Sequence, residues 1–106
     1  MTIIQALQDK FRKNEFEFSE HAVTQGILRS ILVQELREAV QTAEILEDYP
    51  NDKYGLSVLI LGFTSHQRPL HMQCSYPSRP LVKIITLYQP DPRKWINIVH
   101  GGNHGA

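Results

Sequence analysis

The sequence predicts an α+β domain in which two or three amino-terminal helices pack on an antiparallel β-sheet of about four strands. Three observations predict it. Up to Thr42 the apolar residues recur at helical spacing, whereas from Tyr54 onward they fall into short runs rich in Val, Ile and Leu. Those later runs are separated by turn signals containing Pro and Ser. At 106 residues the chain is long enough to bury a core as one domain, and the lone Cys74 excludes an intrachain disulfide.

Ile3, Ile4, Leu7 and Phe11 share one helical face, which predicts a helix over residues 2–13 ending near Asn14. Phe16-Glu17-Phe18 follows as a short extended entry. Ser19 is an N-cap, and Glu20 sits in the first turn against the helix dipole, so a second helix is expected from Ser19 to about Arg29. It should bury Ala22, Val23 and Ile27, although Gly26 in its interior lowers its helical propensity. Ser30 punctuates the chain before a third helix from about Leu32 to Thr42, carried by Val33, Leu36 and Val40.

Ala43 to Tyr49 is short and mixed, and Pro50-Asn51-Asp52 is a turn signal before the next segment, so a hairpin is implied. Tyr54 to Phe63 is a central strand by its Leu, Val and Ile content. Pro69 suits the first residue of the next strand, in which Leu70, Met72 and Cys74 point one way and His71, Gln73 and Ser75 the other. After the turn Pro77-Ser78-Arg79-Pro80, Leu81 to Tyr88 is apolar on both faces except for Lys83 and Thr86, as in a strand buried centrally in a sheet. Pro90 and Pro92 end it, Trp95, Ile96 and Ile98 form a last turn, and residues 99–106 are expected as a flexible tail to a single domain over 1–98.

An apolar content of 42% and a charged content of 21% exclude a disordered or fibrous chain. The longest nearly apolar stretch, Leu56 to Phe63, is far short of the roughly 20 residues of a membrane helix, and Met1 to Asn14 has the makeup of neither a signal nor a transit peptide. A cytoplasmic location with no membrane partner is therefore expected, and a single cysteine suits a reducing compartment. Net charge is zero but polarised. Residues 1–53 carry six Lys/Arg against ten Asp/Glu, a balance of −4, and residues 54–106 carry five against one, a balance of +4. Arg68, Arg79, Lys83, Arg93 and Lys94 of the basic half can form a local phosphate-binding surface. The acidic half repels nucleic acid and suits a basic protein partner.

The chemistry-bearing pattern is His21, Gln25 and Arg29, four residues apart and so on one stripe of a helix. Imidazole, amide and guanidinium together supply a group titrating near neutral pH, a two-way hydrogen-bonder and a fixed cation. A solvent-facing polar edge would show the same spacing. His71 lies on a strand face with Gln73, and Thr86 and Tyr88 share a face of the last strand. If the helices cover one side of the sheet, His71, Tyr88 and a cation on the other could meet the end of the His21 stripe. Cutting RNA without a metal needs a base for the ribose 2′-OH, an acid for the departing 5′ oxygen and positive charge on the pentacoordinate phosphate. His21 or His71 would be the base, the other histidine or Tyr88 the acid, and Arg29 the stabiliser, with Lys83 or Arg93 as substitutes. Gln25, Arg68, Arg79, Lys83, Thr86, Arg93 and Lys94 would bind the RNA.

No cofactor is expected. His66, His71 and Cys74 are close in sequence, but His71 and Cys74 fall on opposite strand faces and no second Cys/His pair supplies zinc spacing. There is no phosphate-loop lysine motif, no glycine-rich dinucleotide turn and no Gly-x-Ser-x-Gly elbow.

At Ser19-Glu20-His21-Ala22, Arg29-Ser30-Ile31, Pro69-Leu70-His71 and Ile84-Ile85-Thr86-Leu87-Tyr88, in this order, the chain resembles the domain-of-unknown-function 4258 family over about residues 16–96. That family is similar to the RelE/MqsR-like ribonuclease toxins of the BECR fold. The resemblance implies helices followed by an antiparallel sheet, endoribonuclease activity on single-stranded or ribosome-bound mRNA, and a small antitoxin protein as partner. His21 and Arg29 match the helical motif, whereas Gln25 stands where relatives more often carry arginine and Ser30 where glycine is usual. The expected function is thus a toxin-type, metal-independent endoribonuclease. The alternative is a non-catalytic protein-binding module of the same fold.

Overall fold

A computed structural model describes residues 1–52 and 55–91. The expectations for Tyr54, Pro92, Arg93 and Lys94, for the last turn at Trp95, Ile96 and Ile98, and for a tail over 99–106 lie outside the described residues. The described chain is α+β, with three helices and a five-stranded sheet in the order β1-β5-β4-β3-β2.

Helix α1 (Ile3–Arg12) starts at a capping box, in which the Thr2 hydroxyl accepts from the Gln5 N–H and the Gln5 side chain accepts from the Thr2 N–H. It ends at Asn14, held left-handed at φ 61°. Strand β1 (Phe16–Phe18) leads through Ser19 into α2 (Glu20–Leu28), unbroken across Gly26. The close of α2 is a Schellman turn, with Ile31 N–H donating to the Gly26 carbonyl at 2.9 Å and Ser30 left-handed at φ 52°. That conformation explains on backbone grounds why glycine would suit position 30. Helix α3 (Val33–Gln41) has no side-chain acceptor at its cap, Leu32. Instead Glu35 reaches back to the Leu32 N–H at 2.9 Å.

Strands β2 (Glu44–Asp52), β3 (Gly55–Phe63), β4 (Pro69–Ser75) and β5 (Val82–Tyr88) pair antiparallel in sequence order. Three expectations are corrected here. The mixed stretch Ala43 to Tyr49 and the turn signal Pro50-Asn51-Asp52 are one nine-residue edge strand, β2. Its register slips between Ile45 and Glu47 and again between Tyr49 and Asp52, which scrambles the alternation that would reveal it and lets Pro50 fall where the ladder is interrupted. Phe16-Glu17-Phe18 is more than an entry segment. It pairs parallel to β5 as the opposite edge, so the sheet has a fifth strand and is mixed rather than purely antiparallel.

The core lies between the helices and one sheet face. Leu7 and Phe11 of α1, Ala22 of α2 and Leu36, Ala39 and Val40 of α3 cover Val58, Ile60, Leu70, Met72, Cys74, Ile84 and Leu87. Helix α3 approaches β3 so closely that a Cβ on Gly62 would stand 1.9 Å from the Ala39 carbonyl oxygen, which only glycine avoids. The third correction concerns α2. Val23 is 46% and Ile27 73% exposed, rather than buried with Ala22. The helix turns only its narrow Ala22 edge to the core. Val33 at the start of α3 is likewise exposed. The far sheet face is not bare either, since Ser57, Leu61, His71 and Ser75 are all buried.

Candidate anion-binding site

The parallel pairing of β1 with β5 builds the site. Glu17 stands opposite Lys83 and Phe18 opposite Ile84, so the chain leaves β1 alongside the middle of β5. The Ser19 N–H continues the ladder to the Ile84 carbonyl at 2.9 Å. The Ser19 hydroxyl then donates to the Ile85 carbonyl at 2.7 Å and accepts from the Ala22 N–H at 3.0 Å, capping α2 in the act of fixing it to the strand. Ile85 is an extra residue in β5, since Cys74 pairs with Ile84 and its neighbour Gln73 with Thr86. In the first turn of α2, His21 is therefore held at the level of Lys83 and Ile85.

The result is a cleft of about 240 Å³ lined by Ser19, His21, Arg79, Lys83 and Ile85. His21 and Arg79 are exposed and Lys83 is half-buried. Lys83 pairs with Glu17 at 3.9 Å, both ends partly in water, a contact that contributes little. The start of α2 adds the positive end of its dipole. Two cations, an imidazole and a helix start around a one-sided hollow are suited to a single phosphate group.

The other sequence-predicted residues are placed elsewhere. Arg29, the C-cap of α2, lies about 12 Å along the helix axis from His21 at 1.5 Å per residue, and does not line the cleft. Gln25 is bound to the sheet: its side-chain carbonyl accepts from the Thr86 hydroxyl at 2.5 Å and from the Leu87 N–H at 3.0 Å. The amide thereby takes over the edge of β5 where β1 has ended, which occupies both Gln25 and Thr86. Arg68 is a strut. Its guanidinium donates to Glu35 at 3.0 Å, to the Ser30 and Arg29 carbonyls at 3.1 and 2.8 Å, and to Gln89 at 2.8 Å. It ties the α2–α3 turn to the end of the β4–β5 pair where β4 starts and β5 finishes.

His71 and Tyr88 stand opposite each other on β4 and β5, on the far sheet face. His71 Nδ1 and the Tyr88 hydroxyl are hydrogen-bonded at 3.1 Å, with the rings edge-on at 5.2 Å. His71 is 0% exposed and its Nε2 has no hydrogen-bond partner among the described residues. Burial lowers its pKa, against a weaker upward pull from Glu47, and burial likewise raises that of Tyr88. The structure thus brings together His21 with Arg79 and Lys83, Gln25 with Thr86, and His71 with Tyr88, while neither Arg29, His71 nor Tyr88 lines the His21 cleft.

Sequence reasoning picked out Arg79 and Lys83 as phosphate ligands and named Lys83 as a substitute stabiliser beside His21, but it did not join Arg79 to His21 and did not include Ser19 or Ile85. The usable signal was Phe16-Glu17-Phe18, whose alternation immediately before an N-cap marks a strand feeding a helix. Among the described residues no three His, Cys, Asp or Glu side chains group closely enough to hold a metal ion. Cys74 is fully buried, which pushes its thiol up to about 12 and leaves it a packing residue. No helix among the described residues is long and apolar enough to cross a membrane.

Fold and cleft together define a small α+β domain with an exposed cleft at the seam of α2 and β5. The chain belongs to the family described as a domain of unknown function, DUF4258, whose model matches residues 18–89. The match leaves out α1 and includes every residue of the cleft. No curated protein and no solved structure matches the chain.

Proposed function

We propose that the cleft of His21, Arg79 and Lys83 holds one phosphodiester of single-stranded or ribosome-bound mRNA, and that the protein is a toxin-type endoribonuclease working without a metal by acid/base transphosphorylation. The observation that carries this is the meeting of an exposed imidazole with two cations in one cleft. His21 takes the proton of the ribose 2′-OH, the 2′ oxygen attacks phosphorus, and the bond from phosphorus to the 5′ oxygen breaks. That oxygen is protonated from water. Arg79 and Lys83 neutralise the charge that grows on the pentacoordinate phosphate. Arg29 guides the strand farther along α2, and His71 with Tyr88 positions the β4–β5 pair. A small antitoxin belongs to the same proposal through the motif resemblance alone.

Labelled single-stranded RNA, offered with and without ribosomes and with a chelator, tests it. Cleavage to 2′,3′-cyclic phosphate ends that survives the chelator and falls about 100-fold or more in His21→Ala is expected. Arg79→Ala and Lys83→Ala should each weaken binding and lower the salt slope by about one. Intact RNA under all conditions would leave the alternative, a non-catalytic module. That alternative is favoured by the enclosure of His71, which leaves the cleft one imidazole. RNA affinity unmoved by both cation variants would remove the nucleic-acid reading altogether.

A further inference from the structure

The cleft takes Arg79 from an exposed turn. Arg79 stands between β4 and β5 on Pro77-Ser78-Arg79-Pro80, and residues 78–81 are all exposed. The two flanks of the turn are well held: the Tyr76 N–H donates to the Leu56 carbonyl at 2.9 Å, the Val82 N–H to the Glu15 carbonyl at 3.0 Å and the Lys83 N–H to the Ser75 hydroxyl at 2.8 Å. Between them, across residues 77–81, one hydrogen bond among the described residues anchors the turn. Lys10 Nζ, in the last turn of α1, donates to the Pro80 carbonyl at 2.9 Å.

Lys10 is itself fixed. Its ammonium pairs with Glu15 at 3.4 Å, and its side chain is 21% exposed. Its carbonyl accepts from the Glu15 N–H at 2.9 Å, so the end of α1 grips both the turn and, through the Glu15 carbonyl, the first residue of β5. The prolines carry this hold to Arg79. Pro80 has a fixed φ, and the residue before a proline is steered to extended backbone, so anchoring Pro80 by its carbonyl sets the direction of Arg79. With its ammonium engaged by a carbonyl and a carboxylate, Lys10 does not line the cleft. An arginine on an untethered turn has to be ordered as its ligand binds, which lowers affinity, whereas one set in advance does not. We infer that Lys10 is a positioning residue for the cleft, holding the β4–β5 turn so that Arg79 meets the phosphate. The inference rests on the phosphodiester reading, and it gives α1, outside the family match over residues 18–89, a part in the site.

Two measurements on the full chain test this. Without RNA, backbone amide relaxation should show the order parameters of Ser78, Arg79 and Leu81 falling from about 0.85 in the parent to below about 0.6 in Lys10→Met, with α2 unchanged. With a short labelled single-stranded RNA, fluorescence anisotropy over a salt series compares Lys10→Met, Arg79→Ala and the double variant, each checked for unchanged circular dichroism. Lys10→Met should weaken binding at low salt at least about threefold and lower the salt slope, and the double variant should bind within about twofold of Arg79→Ala alone. Order parameters that stay at the parent value, or affinity unmoved by Lys10→Met where Arg79→Ala weakens it, overturn the inference and leave the cleft standing. So does a double variant that loses the product of both effects and a further unit of salt slope, since Lys10 would then touch phosphate directly. Affinity unmoved by Arg79→Ala overturns the phosphodiester reading and this inference with it.

Discussion

Two histidines of this fold have opposite surroundings. His21 stands in water on the first turn of α2 beside Arg79 and Lys83, whereas His71 is enclosed on β4 with the Tyr88 hydroxyl on one nitrogen and, among the described residues, no partner on the other. The first has cations as neighbours and room for a ligand. The second is fully enclosed, and its ring is part of the packing of the far sheet face. The difference teaches that residue type alone does not locate a site. An imidazole is available for chemistry only where the fold leaves it solvent and charged company, and an enclosed one serves as a polar packing residue.

The sharpest way to break this comparison is to delete each ring. His71→Ala should cost about 2–3 kcal/mol of stability, as a buried side chain and its hydrogen bond are lost, while His21→Ala should stay within about 0.5 kcal/mol. Urea denaturation of the two variants measures both, and equal effects would mean that the two environments are not distinct. Next in size is the link between the two regions, Gln25, which joins the helix of His21 to the strand of Tyr88. Gln25→Ala leaves the Leu87 N–H without its acceptor and should cost about 1–2 kcal/mol in the same assay.

The smallest effect is acid sensitivity. Because burial lowers the His71 pKa in the folded state, the unfolded chain binds its proton first. The contribution of neutral His71 is therefore complete above about pH 6.5 and is lost as pH falls from there towards the lower folded value. Within that window the slope reaches at most about 1.4 kcal/mol per pH unit. Denaturation midpoints followed downward from pH 7.5 should show this slope in the parent and a flatter one in His71→Phe, whereas His21→Ala should keep the parent slope.

Much of the architecture was legible because it is written in local pattern. The helices begin at Thr2, Ser19 and Leu32 and end at Asn14, Ser30 and Thr42, positions that caps and periodicity mark. Strands β3, β4 and β5 show their apolar runs and bounding prolines openly. Strand β2 was hidden by two register slips, and β1 by being three residues long with its partner more than sixty residues away. The exposure of Val23 and Ile27 was equally hidden, since periodicity shows that a helix has apolar faces but not how many of them find a neighbour.

The sequence by itself determined the α+β class, the order of helices before strands and the polarity between an acidic and a basic half, since each depends on spacing and composition along the chain. Only the tertiary structure decided that His21 keeps company with Arg79 and Lys83 while Arg68 and Gln25 are tied down and His71 is enclosed. The company of His21 rests on the parallel seating of β1 on β5 and on the extra residue at Ile85. Which distant strand a three-residue segment joins is settled by cooperative packing, for which no local stretch of sequence holds the information.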